Sequence, residues 1–381
     1  MMEILLFGST GSIGKTALGV IKRDKNLKVI GLCAYKDTNM LLRQIKEFMP
    51  KYVCVVDEKK GLSFKRNIPK NCKLFYGESG LEEFSKLKSD ISIMGISGIS
   101  CLKPLLTNIP YTKRIALANK ESIVIAGDFV FKEALKYNTE IIPVDSEINA
   151  LFQLFKRFNA NDFNRIYITA SGGALFDYKI SDLKDVTLKE VLSHPTWNMG
   201  KRITIDSSTL VNKAFEVIEA HYYFNIPFEK IDVVIHRESK IHAMVELEDN
   251  TIFACIYNND MSIPIGFSIY YPKSFLSGNR IGFKNKFLFS FQPLDKKNFP
   301  LFYLILDAKK RNDNLLILLN AWDEVAIEYF LNKKIDFLGI YKALNYISKN
   351  YPSQKIKNLE DIFYWDNWAR QRVKGYLENL C

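Results

Sequence analysis

The chain has 381 residues, 48% of them hydrophobic and 25% charged. At roughly 150 residues per domain that is enough for two or three cores, and it excludes a disordered or fibrous chain. The net charge is +11, yet the lysines are spread evenly and no basic block is interleaved with aromatics. This favours a lysine-rich composition over a nucleic-acid surface.

The first 143 residues alternate strand and helix signals. Ile4–Phe7, Leu27–Ala34, Tyr52–Val56, Ile91–Met94, Arg114–Ala118 and Glu140–Val144 are short apolar runs. Gly11–Ile21, Leu41–Phe48 (stopped by Pro50) and Leu81–Leu87 have helical spacing. Apolar, non-alternating strands separated by helices predict a parallel, doubly wound α/β sheet. Beyond Pro143 the texture changes. Glu147–Phe158 is amphipathic, Arg165–Thr169 reads as a strand, His194–Gly200 as a loop, Ile203–Ile205 as a strand and Ser208–Phe224 as a helix. Val233–Ile235, His242–Leu247 and Thr251–Ile256 read as strands, with a turn at Glu248-Asp249-Asn250. After Pro300 helices dominate: Ala321–Phe330, Leu338–Ser348 and Leu359–Leu377. The expected domains are 1–143, a nucleotide-binding Rossmann-type sheet; 144–297, a central α/β catalytic domain with a flap; and 298–381, a helical domain.

Gly8-Ser9-Thr10-Gly11-Ser12-Ile13-Gly14 follows a strand and opens a helix. Such a turn lets main-chain N–H groups approach a pyrophosphate at the helix N-terminus. At the end of the second strand, Lys36 offers a cation for a 2′-phosphate and Asp37 a competing carboxylate for ribose hydroxyls. Gly95-Ile96-Ser97-Gly98 ends the strand at Ile91–Met94 and is expected at the same sheet edge.

Asp145-Ser146-Glu147 sits where a strand gives way to a helix. The pair of carboxylates suits a hard divalent cation, and it equally suits a helix cap. Asp206-Ser207-Ser208-Thr209 reads as a helix start, with Asn212, Lys213 and Glu216 near one face and Val211, Phe215, Ile218 and Tyr222 on another. Hydroxyls, an amide and a lysine there suit a phosphate monoester, and an amphipathic helix with a good cap accounts for the same residues. His194–Gly200 reads as a flap carrying Trp197. His236 and His242 are read as structural, His221 as a packing residue and Cys101 as a buried thiol.

These segments together resemble the 1-deoxy-D-xylulose 5-phosphate reductoisomerase family. The resemblance lies in GSTGSIG (8–14), ALANKES (116–122), PVDSE (143–147), ASGGALF (170–176), HPTWNMG (194–200) and IDSSTLVNKAFEVIEAH (205–221). IHAMVE (241–246) and LNAWDEVA (319–326) match more weakly. The resemblance implies a metal-dependent rearrangement of a ketose phosphate and its reduction by NADPH to 2-C-methyl-D-erythritol 4-phosphate, a step of isoprenoid precursor synthesis. It implies NADPH on Thr10, Gly11, Ser12, Ile13, Asn119, Glu121 and Gly200, to which the Gly-rich turn adds Gly8 and the end of the second strand adds Lys36. It implies a divalent cation (Mn2+, Mg2+ or Co2+) on Asp145, Glu147 and Glu216, and the substrate phosphate on Ser171, Ser207, Asn212 and Lys213. Lys120, Ser146, Glu147, His194, Trp197 and Glu216 are implied at the substrate, with Lys120, Glu147 and His194 catalytic. A homodimer is implied as well. The chain departs from the family at Tyr35, Asp37 and Arg237, where glycine, asparagine and proline are usual.

Two other functions share parts of this pattern. A semialdehyde dehydrogenase would use Cys101 as nucleophile and leave the carboxylates unexplained. A non-catalytic nucleotide- or phosphosugar-binding module would not need Asp145, Glu147 and Glu216 together. The six cysteines form no CxxC motif, which favours a reducing cytoplasm over a disulfide framework. No apolar run reaches the ~18–20 residues of a membrane span, and the opening segment is too short and acidic for a signal peptide. The resemblance implies a small phosphorylated sugar as partner, and the composition leads one to expect neither nucleic acid nor membrane.

Overall fold

The computed structural model describes residues 1–158, 162–197, 200–274, 278–282 and 288–380. Asn198 and Met199 of the expected flap, and Cys381, lie outside the described residues. The chain packs as two units. The first is Met1–Ser122, Asp128–Phe152 and Asp260–Ile281; the second is Ile123–Gly127, Gln153–Asn259 and Gly282–Cys381.

The first unit holds a parallel sheet of β1 (Met2–Phe7), β2 (Leu27–Ala34), β3 (Tyr52–Val55), β4 (Lys73–Tyr76), β5 (Ser89–Met94), β6 (Thr112–Leu117) and β7 (Glu140–Pro143), in the order β4-β3-β2-β1-β5-β6-β7. The order reverses beside β1, as in a doubly wound α/β fold, and the crevice between β1 and β5 is where such sheets bind ligands. The strands are buried almost throughout, which explains their unbroken apolar runs. Lys73–Tyr76 carries too short an apolar signal to be read from sequence. Ile265 and Ile269, on the helix Ser262–Tyr270, join Ile4, Leu6, Ala17 and Ile93 in this core. Arg114 fixes that helix by donating from Nη1 to the Ile269 carbonyl at 3.1 Å.

The second unit contains a mixed sheet of β8 (Phe163–Ala170), β9 (Ile231–Ile235), β10 (Ile241–Leu247), β11 (Ile252–Ile256) and β12 (Gln292–Pro293), ordered β11-β10-β8-β9-β12. Its long helices are Pro300–Arg311, Leu315–Leu331, Phe337–Lys349 and Leu359–Glu378.

One stretch differs from its sequence reading. Ile203–Ile205 is not a strand, and Asp206–Thr209 is not a helix start. Both belong to the helix Lys201–Thr209, and a separate helix runs Val211–Phe224. The break is Leu210, in the left-handed region at φ 58°. That conformation is unusual for a leucine, whose β-carbon crowds the following carbonyl. Nothing in the local pattern signals it. The second helix is also not amphipathic: Lys213, Glu216 and Glu219 are buried along with Val211, Phe215 and Ile218.

Candidate active site

At the carboxyl edge of the first sheet, Gly8 ends β1 with φ 77°, and a β-carbon there would stand 2.4 Å from the Gly95 carbonyl. Only glycine lets the Gly8–Gly14 and Gly95–Gly98 turns meet this closely. The turn leads into the helix Ser12–Ile21, whose N-terminus has no side-chain cap. Its first N–H groups therefore face outward, as an anion site requires.

Asn119 and Glu121 brace the neighbouring turn. The Asn119 amide donates to the carbonyls of Ile96 (3.1 Å) and Gly98 (3.0 Å), its oxygen accepts from Ser122 N, and Glu121 accepts from Gly98 N at 3.2 Å. Lys36 and Tyr35 are exposed after β2. Asp37 accepts from Met40 N at 3.0 Å as the cap of the helix Thr38–Phe48. Its carboxylate is thus engaged with its own helix.

Past β7 the acidic residues gather with a lysine. Lys120 Nζ lies 2.6 Å from Asp145 Oδ2, and both side chains are nearly buried. Asp145 Oδ1 accepts from Glu147 N at 3.3 Å, and Ser146 donates from its hydroxyl to Glu147. Asp145 therefore caps the start of the helix Ser146–Phe155 through its side chain.

The phosphate candidates sit in the second unit. Ser171 follows β8 in the loop Ala170–Gly173, where Gly172 (φ 81°) and Gly173 (φ 72°) turn the chain. A β-carbon on Gly173 would stand 2.6 Å from the Ser208 α-carbon, so this loop rests against the helix end that carries Ser207. Asn212 and Lys213 lie in the first turn of Val211–Phe224, and both side chains donate to Glu216. Lys213 is 4% exposed and Glu216 1%. Two charges this deep are kept only because each compensates the other's desolvation.

His194 opens the flap. Its Nδ1 accepts two main-chain hydrogen bonds, from Thr196 N (3.2 Å) and Trp197 N (3.0 Å). Nδ1 is therefore bare and the proton is on Nε2, which donates to Ser171 Oγ at 2.9 Å. Ser171 Oγ also accepts from Gly173 N at 3.2 Å, leaving its own proton to give outward. Trp197 is half-buried, edge-on to His242 at 6.0 Å. Gly200 caps the helix Lys201–Thr209.

The sequence reading missed a buried ionic network behind this helix. Arg202 donates from Nη1 to Glu324 at 2.9 Å, Arg370 joins Glu324 to Asp366, and Asp323 is buried beside Asp206. Burial, and then the Asp206 carboxylate, hold the Asp323 carboxyl well above the usual range. Charged residues inside the apolar run Leu315–Leu331 were the signal.

The remaining candidates are structural, as expected. His236 is buried and accepts from Lys240 N (3.1 Å) and Ile241 N (3.2 Å) through Nε2. His221 stacks on Phe228. Cys101 is fully buried, and burial followed by the Glu121 charge pushes its thiol up. A nucleophilic thiolate is disfavoured there, which removes the basis for the semialdehyde dehydrogenase reading.

The chain matches the family model for 1-deoxy-D-xylulose 5-phosphate reductoisomerase over residues 4–127. Models for that enzyme's C-terminal domains match residues 141–224 and 257–372. The 1-deoxy-D-xylulose 5-phosphate reductoisomerase of Thermoanaerobacter sp. (strain X514) is 40% identical over 381 residues, covering 99% of this chain and 100% of the relative. That of Sulfurihydrogenibium sp. (strain YO3AOP1) is 41% identical over 367 residues, covering 96% and 95%. The solved reductoisomerase from Zymomonas mobilis, in complex with NADPH, superposes with a TM-score of 0.91 at 33% identity and 100% coverage of both chains. A DOX-P reductoisomerase in complex with NADPH, fosmidomycin and magnesium gives 0.92 at 30% identity, covering 99% and 98%.

Proposed function

The chain belongs to the 1-deoxy-D-xylulose 5-phosphate reductoisomerase family, and from that premise we propose how its residues divide the reaction. The protein is an NADPH-dependent reductoisomerase that converts 1-deoxy-D-xylulose 5-phosphate to 2-C-methyl-D-erythritol 4-phosphate. By function, residues 1–143 bind NADPH, 144–297 bind metal and substrate, and 298–381 support them as a helical domain. The observation that carries the assignment is the deep burial of Lys213 and Glu216 on one helix. A packing helix has no use for them, whereas a phosphate and a cation do.

The donor sets fit the implied groups. Asp145, Glu147 and Glu216 offer only carboxylate oxygens, the ligands a hard divalent ion takes, with Glu216 buried and the other two less so. The uncapped Gly-rich turn fits a pyrophosphate, with Thr10, Gly11, Ser12, Ile13, Asn119, Glu121 and Gly200 as further NADPH contacts. Lys36, exposed past β2, is assigned to the 2′-phosphate. When bound, the cation supplies Lewis-acid polarisation of oxygens and NADPH supplies a hydride.

The protein's own residues do the rest. Ser171, Ser207, Asn212 and Lys213 hold the substrate phosphate, with Ser171 donating its hydroxyl proton to a phosphate oxygen. Lys120, charged against Asp145, holds a proton at Nζ for a developing alkoxide. Glu147 accepts a hydroxyl proton, and Ser146 orients it. His194 acts as a neutral clamp joining the flap main chain to Ser171. Trp197 covers the substrate and excludes water, so remote phosphate binding helps close the site.

A homodimer and a cytoplasmic location complete this reading. The edge strand β11 exposes Ile252, Phe253 and Ile256, an apolar edge of the kind that a second chain covers. Among the described residues no helix is long and apolar enough to cross a membrane. The decisive assay follows NADPH oxidation with 1-deoxy-D-xylulose 5-phosphate, with Mg2+ and then with excess chelator. Oxidation that depends on both substrate and cation is expected; NADPH turnover unaffected by chelator would overturn the metal assignment.

A further inference from the structure

Arg237 stands beside His236 where the family pattern leads one to expect proline, and the structure gives it a definite task. Its Nη1 donates to the Ser171 carbonyl at 2.8 Å and to the Gly173 carbonyl at 3.1 Å. The guanidinium lies over the Phe176 ring, 4.8 Å from its centroid. Its carboxylate neighbour, Asp177, is 4.0 Å away and largely exposed, so that pair is weakened by solvent. The loop it grips has positive φ at both glycines, and such a backbone keeps one shape only if its polar groups are tied. Ser171 is therefore held at both ends: the carbonyl by Arg237 and the hydroxyl by His194.

Charge points the same way. A phosphate dianion needs countercharge, and the Lys213 ammonium is already paired with Glu216. We propose that Arg237 is a positioning residue for the phosphate end of the site, fixing the Ser171 loop and adding a second cation behind it, so that this chain selects a phosphorylated substrate by a means proline cannot supply. The inference rests on the phosphate assignment made above. Arginine suits the task because one terminal nitrogen donates to both carbonyls while the flat guanidinium lies over an aromatic ring; lysine keeps a charged donor but has no planar face to lie on the ring.

The test uses the full-length protein with Mg2+ and three variants: Arg237→Met, Arg237→Lys and Lys213→Met. Each is assayed for KM and kcat on 1-deoxy-D-xylulose 5-phosphate, KM for NADPH, inhibition by inorganic phosphate, and melting temperature. Arg237→Met is expected to raise KM for the ketose phosphate by about tenfold or more, as for loss of a charge-assisted hydrogen bond. It should weaken inorganic phosphate inhibition in parallel and leave KM for NADPH within about twofold. Arg237→Lys should fall between wild type and Arg237→Met, and it decides the matter if Arg237→Met folds poorly. If Lys213→Met raises KM for the ketose phosphate while both Arg237 variants leave it unchanged, the phosphate site stands and the role of Arg237 is overturned. If no variant moves that KM, the phosphate assignment itself fails. A lowered melting temperature with unchanged KM and phosphate inhibition would make Arg237 a structural residue only.

Discussion

The Lys120 ammonium lies 2.6 Å from Asp145 Oδ2, with side chains 8% and 11% exposed. A lysine opening the helix Lys120–Tyr137 thereby neutralises a carboxylate assigned to the cation. Removing one partner of a buried pair leaves the other uncompensated, at a cost of about 3–5 kcal/mol. Lys120→Met should therefore melt several degrees below wild type in chelator. Added Mg2+ should recover most of that loss by replacing the ammonium as countercharge, while kcat stays down by at least ~100-fold for want of the proton held at Nζ. Melting curves with and without Mg2+ check this. A deficit that Mg2+ does not relieve would take Asp145 out of the cation site.

Glu216 makes the complementary case. It is buried and accepts from both Asn212 and Lys213. Glu216→Gln keeps the shape and loses the charged ligand. Turnover should fall at least ~100-fold, matching a loss of about 3 kcal/mol of transition-state stabilisation. The thermal protection that Mg2+ gives the wild type should shrink or vanish. Near-normal turnover with Mg2+ protection intact would leave Glu216 as no more than the partner of Lys213.

After β2, Asp37 accepts from Met40 N as a helix cap, and Lys36 beside it is an exposed cation. Lys36→Glu should raise KM for NADPH by about tenfold and hardly alter KM for NADH. An exposed cation meeting a phosphate is worth about a kilocalorie or a little more, and salt should erode it. Equal use of both nucleotides by the wild type would dissociate this strand end from the 2′-phosphate.

What could be read from sequence follows from how local each signal is. Leu27–Ala34 is bounded to the residue because a buried parallel strand is a continuous apolar run between polar neighbours. The Gly8–Gly14 turn was legible because no other residue can take φ 77° against the Gly95 carbonyl. The boundary at Leu210 was not, since a leucine in the left-handed region is imposed by tertiary packing and leaves no local mark. The spacing from Ser208 to Phe224 reads as one continuous helix, which hides the break that puts Asn212 and Lys213 in a first turn. The grip of Arg237 on Ser171 joins residues 66 apart in sequence, and no pattern within one element reports such a contact.

Asp323 offers a test of the buried network that needs no substrate. Burial and the facing Asp206 carboxylate raise its carboxyl above the ordinary range, while Arg202 opposes the rise. The repulsion is relieved when one carboxyl keeps its proton and donates it to the other. The sign follows from proton counting. Above the unfolded carboxyl value the unfolded chain has released a proton that the folded chain still binds, so stability falls as pH rises until the folded carboxyl also ionises. Asp323→Asn removes that titration and retains a donor toward Asp206. Near pH 4 the variant should melt close to wild type. At pH 7 to 8 it should melt higher, because there the wild type has lost the stability that goes with the proton its folded carboxyl holds. Melting curves from pH 4 to 8 on both proteins give the comparison. A variant that melts lower at pH 8 would mean that Asp323 is needed as an anion for Arg202, with its proton already lost in the folded chain.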